Sequence, residues 1–299
     1  MLCECILFIV GFCYLARISL ELLNIILGIF EWGNDYTFQP DTWAIITACT
    51  DGFGLGFAEE LAKKGFNIVQ IGRNPSKLNK SAQSLKDKYN IQVVNIEYDF
   101  YNCPKDPILF YNKVSSQIKD LDIGVLVNNV GVGHVKEFLY SEKNILHMLA
   151  LNIFPIVFMT KAFLEKTYLR KQTGIINVSS ISAVCPLQNL SVYSSCKAFD
   201  LIFSLVFSLD MNIQNKCTGS NVEVLCIQPS LIESPATQYI KEKPMILTKN
   251  ACAKKTIDLL GKRVYSSGHW KHAVMYVVMN FCSVLVPICG KKFSKPYEY

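Results

Sequence analysis

"WAIITACTDGFGLGFAEELAKKGFNIVQIG", residues 43–72, contains the clearest secondary-structure pattern in the chain. An apolar run over residues 43–48 is followed by a glycine-rich turn, by the helical segment "GFAEELAKKG" and by a second β-branched run over residues 67–72. Continuous apolar strands of this kind are buried on both faces, as in parallel sheets. The stretch therefore predicts two parallel strands joined by a helical crossover.

The same alternation of strand and helix continues to about residue 263. A polar helix is predicted from about residue 75 to 89, and further strands are predicted at 93–99, 123–129, 174–180 and 222–228. This pattern is typical of an α/β fold, a Rossmann-type doubly wound parallel sheet. We expect one such domain over residues 42–263, with its ligand at the carboxyl ends of the strands.

The composition limits the class of protein. The chain has 299 residues, is 51% apolar and carries a formal net charge of +6, without a dense Lys/Arg block. We therefore expect no nucleic-acid partner, and the apolar excess indicates membrane contact. The twelve cysteines are scattered and none forms C-x-x-C. We interpret them as free thiols in a reducing compartment and expect no metal site.

Residues 1–36, "MLCECILFIVGFCYLARISLELLNIILGIFEWGNDY", form a long apolar segment. No basic region leads it and no small-residue cleavage site follows, so it does not resemble a secretory signal. Apolar side chains favour membrane insertion, whereas Arg17 and Glu21 each oppose it by about 2.5–3.5 kcal/mol unless they pair. We predict a membrane anchor, either one span or an in-plane helix; the alternative is a buried helix of a soluble fold.

Residues 264–299 contain a second apolar segment, "AVMYVVMNFCSVLVPICG", which has no charged residue. Its length is about the minimum for a membrane span, although Asn280 and Pro287 weaken that interpretation. The basic pair Lys291 and Lys292 suits a cytosolic surface of anionic lipid. We expect this segment to be embedded in a membrane or to cover a substrate.

The glycine-rich turn "TACTDGFGLG" has the strand–turn–helix context of a dinucleotide site. Glycines let the backbone approach a pyrophosphate at the helix N-terminus. Arg73 follows the second strand, where an acidic residue would bind a ribose 2′-OH and an Arg accommodates a 2′-phosphate. The sequence therefore favours NADP(H). The candidate cofactor residues of this region are Thr47, Asp51, Gly52, Gly54, Arg73 and, for the adenine, Asp99.

A second set of polar residues follows the later strands. "SVYSSCKAF" places Tyr193 and Lys197 four residues apart, which on its own is the spacing of neighbours on any helix. Together with the turn, these motifs resemble those of the short-chain dehydrogenase/reductases, T-G-x-x-x-G-x-G, N-N-x-G, Ser and Y-x-x-x-K, over residues 42–263. The matching positions are Thr47, Gly52, Gly54, Asn128, Gly131, Ser180, Tyr193 and Lys197, while Ala48 stands where the family usually has Gly.

The resemblance implies a role for each of four residues. Tyr193 would protonate a substrate carbonyl while a hydride arrives from the nicotinamide. A free tyrosine ionises near pH 10, and the ammonium of Lys197 favours the phenolate. Ser180 would hydrogen-bond the carbonyl, and Asn152 would hold a water in a proton relay. We expect Pro155 to kink its helix near Asn152 and help free the carbonyl there.

The resemblance also implies contacts in the loop after the last predicted strand. Tyr193 and Lys197 would contact the cofactor as well as the substrate. Pro229 begins the loop, and Ser234 falls where the family often has Thr near the cofactor amide. Lys241 and Lys243 could meet a CoA phosphate, although a solvated run of charges is the simpler interpretation.

The stretches "AEELAKKGFNIVQIGRNPSKL", "LDIGVLVNNVG" and "SSGHWKHAV" resemble the membrane-associated 17β-hydroxysteroid dehydrogenase / very-long-chain 3-oxoacyl-CoA reductase branch. The resemblance implies NADPH-dependent reduction of a lipid ketone in the endoplasmic reticulum membrane, with the catalytic domain facing the cytosol. A long-chain 3-oxoacyl-CoA of fatty-acid elongation is the first expectation. The alternatives are 17-keto steroids, another lipid alcohol such as retinol, or a catalytically silent membrane-bound scaffold. The helices around residues 141–168 and 191–211 pair subunits in many relatives, so the resemblance also implies a homodimer.

Overall fold

A computed structural model describes residues 2–133, 141–167, 170–185, 187–235, 237 and 246–280, with side chains from residue 5. Its centre is a seven-stranded sheet in the order β3-β2-β1-β4-β5-β6-β7, in which every pair is parallel. The strands are β1 Trp43–Thr47, β2 Asn67–Gly72, β3 Val93–Glu97, β4 Ile123–Asn128, β5 Thr173–Val178, β6 Val222–Ile227 and β7 Tyr265–Ser266.

Helices cover both faces of this sheet, as right-handed crossovers require. The helices of the described residues are α1 Leu2–Ile29, which precedes the sheet, α2 Gly52–Lys63, α3 Pro75–Tyr89, α4 Pro107–Ile118, α5 Glu142–Asn152, α6 Phe154–Thr167, α7 Ser191–Thr218, α8 Lys249–Asp258 and α9 over residues 270–280. One core cluster packs α2 and α8 against one face, and a second packs α4 and α6 against the other. The Rossmann-type doubly wound sheet is thereby confirmed.

Most predicted boundaries agree with the structure, but α2 begins at Gly52, four residues before the predicted helical segment 56–65, so Gly52 and Gly54 lie in its first turn. β2 and α3 have the predicted bounds, and the other predicted strands end one or two residues earlier than expected. β7 is a strand of two residues that lies beyond residue 263, the expected end of the sheet domain. Its brevity explains why periodicity did not reveal it, since two residues carry no alternation.

α1 is an apolar helix with contacts at its C-terminal end and along one side. Its window Cys5–Ile29 has a mean hydropathy of 2.0 and is long and apolar enough to cross a membrane. Lys255 of α8 donates to the carbonyl of Ile29 at 3.0 Å and so caps the helix C-terminus. Glu21 accepts hydrogen bonds from Tyr276 and Asn280, so α1 lies against α9. Residues 281–299 of the expected C-terminal segment lie outside the described residues.

Candidate active site

The glycine turn after β1 has no room for a side chain at Gly54. A Cβ there would lie 2.3 Å from the carbonyl oxygen of Ala48 and 2.6 Å from Nδ2 of Asn129, closer than real Cβ atoms approach other atoms. Asn129 donates to the carbonyl oxygens of Thr47 and Ala48 at 3.0 and 3.1 Å. Thr47 Oγ1 in turn accepts from the backbone N–H of Asn129 at 2.8 Å. The turn is therefore held against the end of β4, with bare backbone at the N-terminus of α2.

Ala48 occupies a backbone conformation that favours glycine. Its φ is +52°, in the left-handed region, where an L side chain is strained by about 1–2 kcal/mol. This is the position at which the sequence departs from the T-G-x-x-x-G-x-G pattern. The chain therefore tolerates local strain beside its dinucleotide turn.

We expect Ala48→Gly to stabilise the protein. The strain that is relieved is larger than the entropic free-energy cost of ordering a glycine. The free energy of unfolding should therefore rise by about 0.5–1 kcal/mol. Thermal unfolding of the full chain in detergent measures it, with Ala82→Gly, a buried position within α3, as the control that should destabilise. A lower melting temperature for Ala48→Gly than for the parent would show that Ala48 is not strained.

Charged residues lie around the opening of the turn. Lys77 on α3 pairs with Asp51, with 3.2 Å between Nζ and Oδ2, which places this lysine at the N-terminus of α2. Arg73 directly follows β2 and is exposed. Asp99 caps the short turn after β3, because its Oδ1 accepts from the N–H of Tyr101 at 3.1 Å. Arg73 and Lys77 give this edge of the sheet a positive side suited to a phosphate.

The two residues chosen from "NNVG" have different surroundings. The side chain of Asn128 is buried and donates to Thr160 Oγ1 at 3.1 Å and to Asn177 Oδ1 at 2.9 Å, so it joins β4 to α6 and β5. Gly131 lies beside the polar cluster: a Cβ there would be 2.7 Å from Oδ1 of Asn152 and 3.2 Å from Nζ of Lys197. Asn129, which sequence reasoning did not select, is the residue that binds the glycine turn.

Tyr193 and Lys197 lie on one face of α7, as the spacing predicts. Lys197 is 4% exposed, and its Nζ lies 5.9 Å from the centroid of the Tyr193 ring and donates to the carbonyl of Val178 at 2.8 Å. The ring of Tyr193 packs on Gly133, where a Cβ would come within 3.1 Å of it. The phenol is half-buried and the ammonium is buried, next to each other.

Asn152 completes this cluster from α5. Its Nδ2 donates to the carbonyl oxygens of Val132 and Met148 at 2.8 and 2.7 Å, and its Oδ1 accepts from the N–H of Val132 at 3.2 Å. The side chain therefore fixes the loop after β4 beside Tyr193. α5 ends at Asn152 and α6 begins at Phe154, so the expected break beside Pro155 is present.

Ser180 lies where β5 ends, two residues after the Val178 carbonyl that Lys197 contacts. Its Oγ accepts from the N–H of Ser182 at 3.2 Å, which leaves its hydroxyl proton free to donate to a ligand. The next residue, Ile181, donates its N–H to the carbonyl of Pro229 at 3.0 Å. The ends of β5 and β6 thus meet at the same edge of the sheet as the cluster.

The loop after Pro229 folds back over the glycine turn. A Cβ at Gly52 would lie 3.1 Å from Cβ of Ser234, so these two predicted cofactor residues are neighbours. A cavity of about 510 Å³ lies between them, and it is lined by Asp51, Gly52, Glu233, Ser234, Pro235, Thr237, Ile246, Leu247, Thr248 and Lys249. Lys241 and Lys243 lie outside the described residues.

One buried acid was missed by the sequence analysis. Asp200 is 2% exposed and its Oδ2 accepts from Lys197 Nζ at 2.9 Å. A signal was present, since an acid three residues after a lysine on a predicted helix is placed to pair with it, inside the otherwise apolar stretch "AFDLIFSLVF". The described part of the chain contains no group of three or more His, Cys, Asp or Glu residues that could hold a metal ion.

The arrangement can hold a dinucleotide and protonate a carbonyl. The bare turn at Gly52 and Gly54 is a cradle that a Cβ would fill, and the positive N-terminus of α2 suits a pyrophosphate. Tyr193 presents a phenol beside a buried ammonium, and Ser180 offers a free hydroxyl proton. This combination suits acid–base chemistry at a carbonyl or an alcohol.

Known proteins share both the sequence and the fold. The chain matches the short chain dehydrogenase family over residues 42–245. Very-long-chain 3-oxoacyl-CoA reductase-B of Danio rerio is 32% identical over 265 residues, which are 85% of this chain and 82% of that relative. The very-long-chain 3-oxoacyl-CoA reductase of Homo sapiens is 31% identical over 273 residues, 88% of this chain and 83% of that relative.

Among solved structures, one of a 7β-hydroxysteroid dehydrogenase superposes with a TM-score of 0.68. It is 21% identical and covers 79% of this chain and 90% of that one, which supports the fold alone. The family match covers more than half of the chain, and the two reductases match most of it. The chain is therefore an oxidoreductase of the short-chain dehydrogenase/reductase family, in the branch that contains these reductases.

Proposed function

We propose that this protein reduces the ketone of a long-chain 3-oxoacyl-CoA with NADPH, as a step of fatty-acid elongation. The observation that carries the proposal is the similarity to very-long-chain 3-oxoacyl-CoA reductases along most of the chain, combined with an intact cluster of Ser180, Tyr193, Lys197 and Asn152. Arg73 after β2 supports NADP(H), because its cation suits a 2′-phosphate.

The catalytic roles follow from the positions of the side chains. Bound NADPH supplies the hydride. Tyr193 donates its phenolic proton to the carbonyl oxygen, and the Ser180 hydroxyl donates a hydrogen bond to the same oxygen as negative charge develops there. Lys197 favours the phenolate that Tyr193 leaves behind. The side chain of Asn152 is occupied by hydrogen bonds to Val132 and Met148. Its backbone carbonyl is therefore the group that would accept a hydrogen bond from the relay water.

A cavity between α1 and α7 supports a lipid substrate. Its volume is about 610 Å³. Its lining includes Val184, four residues after Ser180 in the chain, and Gln228, the residue before Pro229. Within the described part of the chain, neither amide atom of the buried Gln228 has a hydrogen-bond partner. We infer that an acyl chain occupies this cavity. The apolar lining residues are Phe12, Cys13, Ala16, Leu20, Val184, Leu201 and Leu205, and the polar ones besides Gln228 are Arg17, Glu21, Tyr265 and Tyr276.

The membrane assignment follows from the same helix. We propose that residues 1–36 anchor the protein in the endoplasmic reticulum membrane and that residues 42–263 form the NADP-binding catalytic domain in the cytosol. Residues 264–299 would then contact membrane or substrate. α1 supports this, since none of the residues in its most apolar stretch is buried and an acyl chain could pass from the bilayer into the cavity beside it.

The experiment that tests the function is NADPH oxidation by the full chain in detergent. A long-chain 3-oxoacyl-CoA, a short-chain one and a 17-keto steroid are compared, with Leu205→Trp as the variant that fills the cavity. We expect turnover of the long-chain thioester and, in the variant, a KM for it about tenfold higher, with the short-chain KM unchanged. Turnover of the steroid alone would indicate a hydroxysteroid dehydrogenase. NADPH binding without turnover of any of the three substrates would indicate a silent scaffold.

Cofactor preference gives a separate prediction at Arg73. We expect Arg73→Asp to reverse the preference, raising the KM for NADPH at least about tenfold while the KM for NADH falls. The cause is that a carboxylate repels the 2′-phosphate and accepts from a ribose 2′-OH. Initial rates with both cofactors measure this, and Arg263→Asp, beyond β6, is the control. An unchanged NADPH preference would exclude Arg73 from the site.

We also propose that α7 forms a homodimer interface. Its exposed apolar side chains recur at spacings of three and four residues, a strip that suits packing against the same helix of a second copy. The strip consists of Phe199, Ile202, Val206, Leu209 and Ile213.

We expect Leu209→Glu to convert the dimer to a monomer, because a buried unpaired charge opposes association. Sedimentation of the full chain in detergent gives the mass of the complex. The neighbouring exposed variant Asp210→Asn should leave it unchanged. If the parent protein is already monomeric at micromolar concentration, this interface is wrong.

A further inference from the structure

A buried carboxylate stands beside the candidate catalytic lysine. Asp200 lies three residues after Lys197 on α7, and its Oδ2 is 2.9 Å from Nζ. The two residues are 2% and 4% exposed. Within the described part of the chain, Oδ1 of Asp200 has no hydrogen-bond partner. The carboxylate is therefore compensated through Lys197, and the loss of either partner would leave the other as a buried charge.

Neighbouring hydrogen bonds hold both residues of this pair in place. Ser204 Oγ donates to the backbone carbonyl of Asp200 at 2.6 Å and accepts from Asn177 Nδ2 at 2.9 Å. Ser179 Oγ donates to the carbonyl of Lys197 at 2.7 Å. Hydrogen bonds therefore join α7 to Asn177 of β5 and to Ser179, the residue after β5. One bond lies on each side of the Lys197–Asp200 pair. The ammonium can turn little, and it points at the end of β5.

The charge of Lys197 depends on its neighbour. Burial lowers the pKa of Lys197, but the charge and hydrogen bond of Asp200, together with Tyr193 and Cys226, outweigh this effect, so that the pKa lies above its ordinary value. The other titratable groups that face the pair are Tyr193 and Cys196 on α7 and Cys226 on β6. Burial raises the pKa of the Cys196 thiol to about 11 and that of Cys226 to about 12, so both stay neutral.

We propose that Asp200 is a positioning residue that keeps the buried ammonium of Lys197 charged and directed toward the end of β5, beside Asn152 and Tyr193. Its catalytic consequence rests on the proposed function. A charged Lys197 stabilises the negative charge that develops on the Tyr193 oxygen as its proton is donated to the substrate, whereas a neutral amine in the same place would not. Asp200 itself touches neither substrate nor cofactor in this role.

The direct test is the titration of Lys197 in the full chain without cofactor, followed by NMR of lysines labelled at Cε. Lys197→Arg identifies the signal. In the parent protein we expect a Lys197 pKa above the ordinary value of about 10.4. Asp200→Asn should lower this pKa by at least about one unit, because a buried lysine without a counter-ion titrates at lower pH. Asp200→Glu, which keeps the charge, should restore most of the shift.

The kinetic test is the pH profile of kcat for ketone reduction. In Asp200→Asn the alkaline fall of kcat should begin at least about one pH unit lower than in the parent, because the ammonium loses its proton earlier. An alkaline fall of kcat that begins at the same pH in Asp200→Asn and in the parent would overturn the proposal.

Asp210→Asn is the matched control, since it removes the same charge from an exposed position of the same helix. It should leave both the titration and the pH profile unchanged. A parent Lys197 pKa below about 9, or equal pKa values in the parent and Asp200→Asn, would overturn the proposal. The Lys197 pKa of the parent protein tests the proposal even if Asp200→Asn does not fold. If the parent reduces no lipid ketone, the proposed function fails while the titration still decides the role of Asp200.

Discussion

Replacing Tyr193 with Phe is expected to lower kcat for ketone reduction by about 10²–10⁴-fold. The variant loses the hydroxyl that donates the proton, while its ring still packs on Gly133. Substrate and cofactor contacts that do not involve the hydroxyl remain, so the KM values and the affinity for NADPH should change by less than about threefold. Initial rates with the long-chain thioester and an NADPH fluorescence titration measure the two effects.

Tyr111→Phe on α4 is the matched control for this variant. It removes the same hydroxyl from a ring that packs under the ammonium of Lys161, outside the site. Its kcat should stay within about twofold of the parent. A fall in kcat of less than about tenfold in Tyr193→Phe would mean that another group protonates the carbonyl, and the assignment of the acid would be wrong.

Replacing Gly54 with Ala is expected to abolish tight cofactor binding. The new Cβ would lie 2.3 Å from the Ala48 carbonyl oxygen, 2.6 Å from Asn129 Nδ2 and 2.9 Å from the Cα of Cys49. Two of these atoms belong to the backbone, so the turn itself must move. Since misplacement by about 1 Å can weaken a site about 100-fold, we expect the Kd for NADPH to rise by at least that factor.

The same variant should also destabilise the protein by about 1–3 kcal/mol, the usual effect of overpacking. Fluorescence titration with NADPH and denaturant unfolding measure the two effects separately. Gly72→Ala at the end of β2 is the control, because its Cβ would make an ordinary contact of 3.5 Å with Leu78. A Gly54→Ala protein that binds NADPH like the parent would show that the turn is not the pyrophosphate cradle.

The secondary structure was predictable because it depends on local patterns. The apolar run of β2 and the polar helix α3 have the expected bounds, since burial on both faces of a parallel strand leaves an unbroken apolar run. Tyr193 and Lys197 share a face of α7 because four residues make about one helical turn. β7 was not predictable, since a strand of two residues pairs only where β6 offers its edge.

Sequence spacing did not determine which polar side chain serves which purpose. The motif "NNVG" contains two adjacent asparagines, and successive side chains of a strand point to opposite sides. Asn128 accordingly enters the core with Asn177, whereas Asn129 binds the turn residue Ala48, 81 positions away. The strain at Ala48 likewise became visible only as a φ of +52°.

Local sequence patterns were sufficient to predict the order of strands and helices, the glycine turn and the shared helix face of Tyr193 and Lys197, because each depends on residues close together in the chain. Two contacts could be known only from the folded protein: Asp200 is buried against Lys197 below the end of β5, and Glu21 accepts a hydrogen bond from Tyr276, 255 positions away. Burial and partner choice depend on which elements pack together, and packing brings together residues that no local pattern connects.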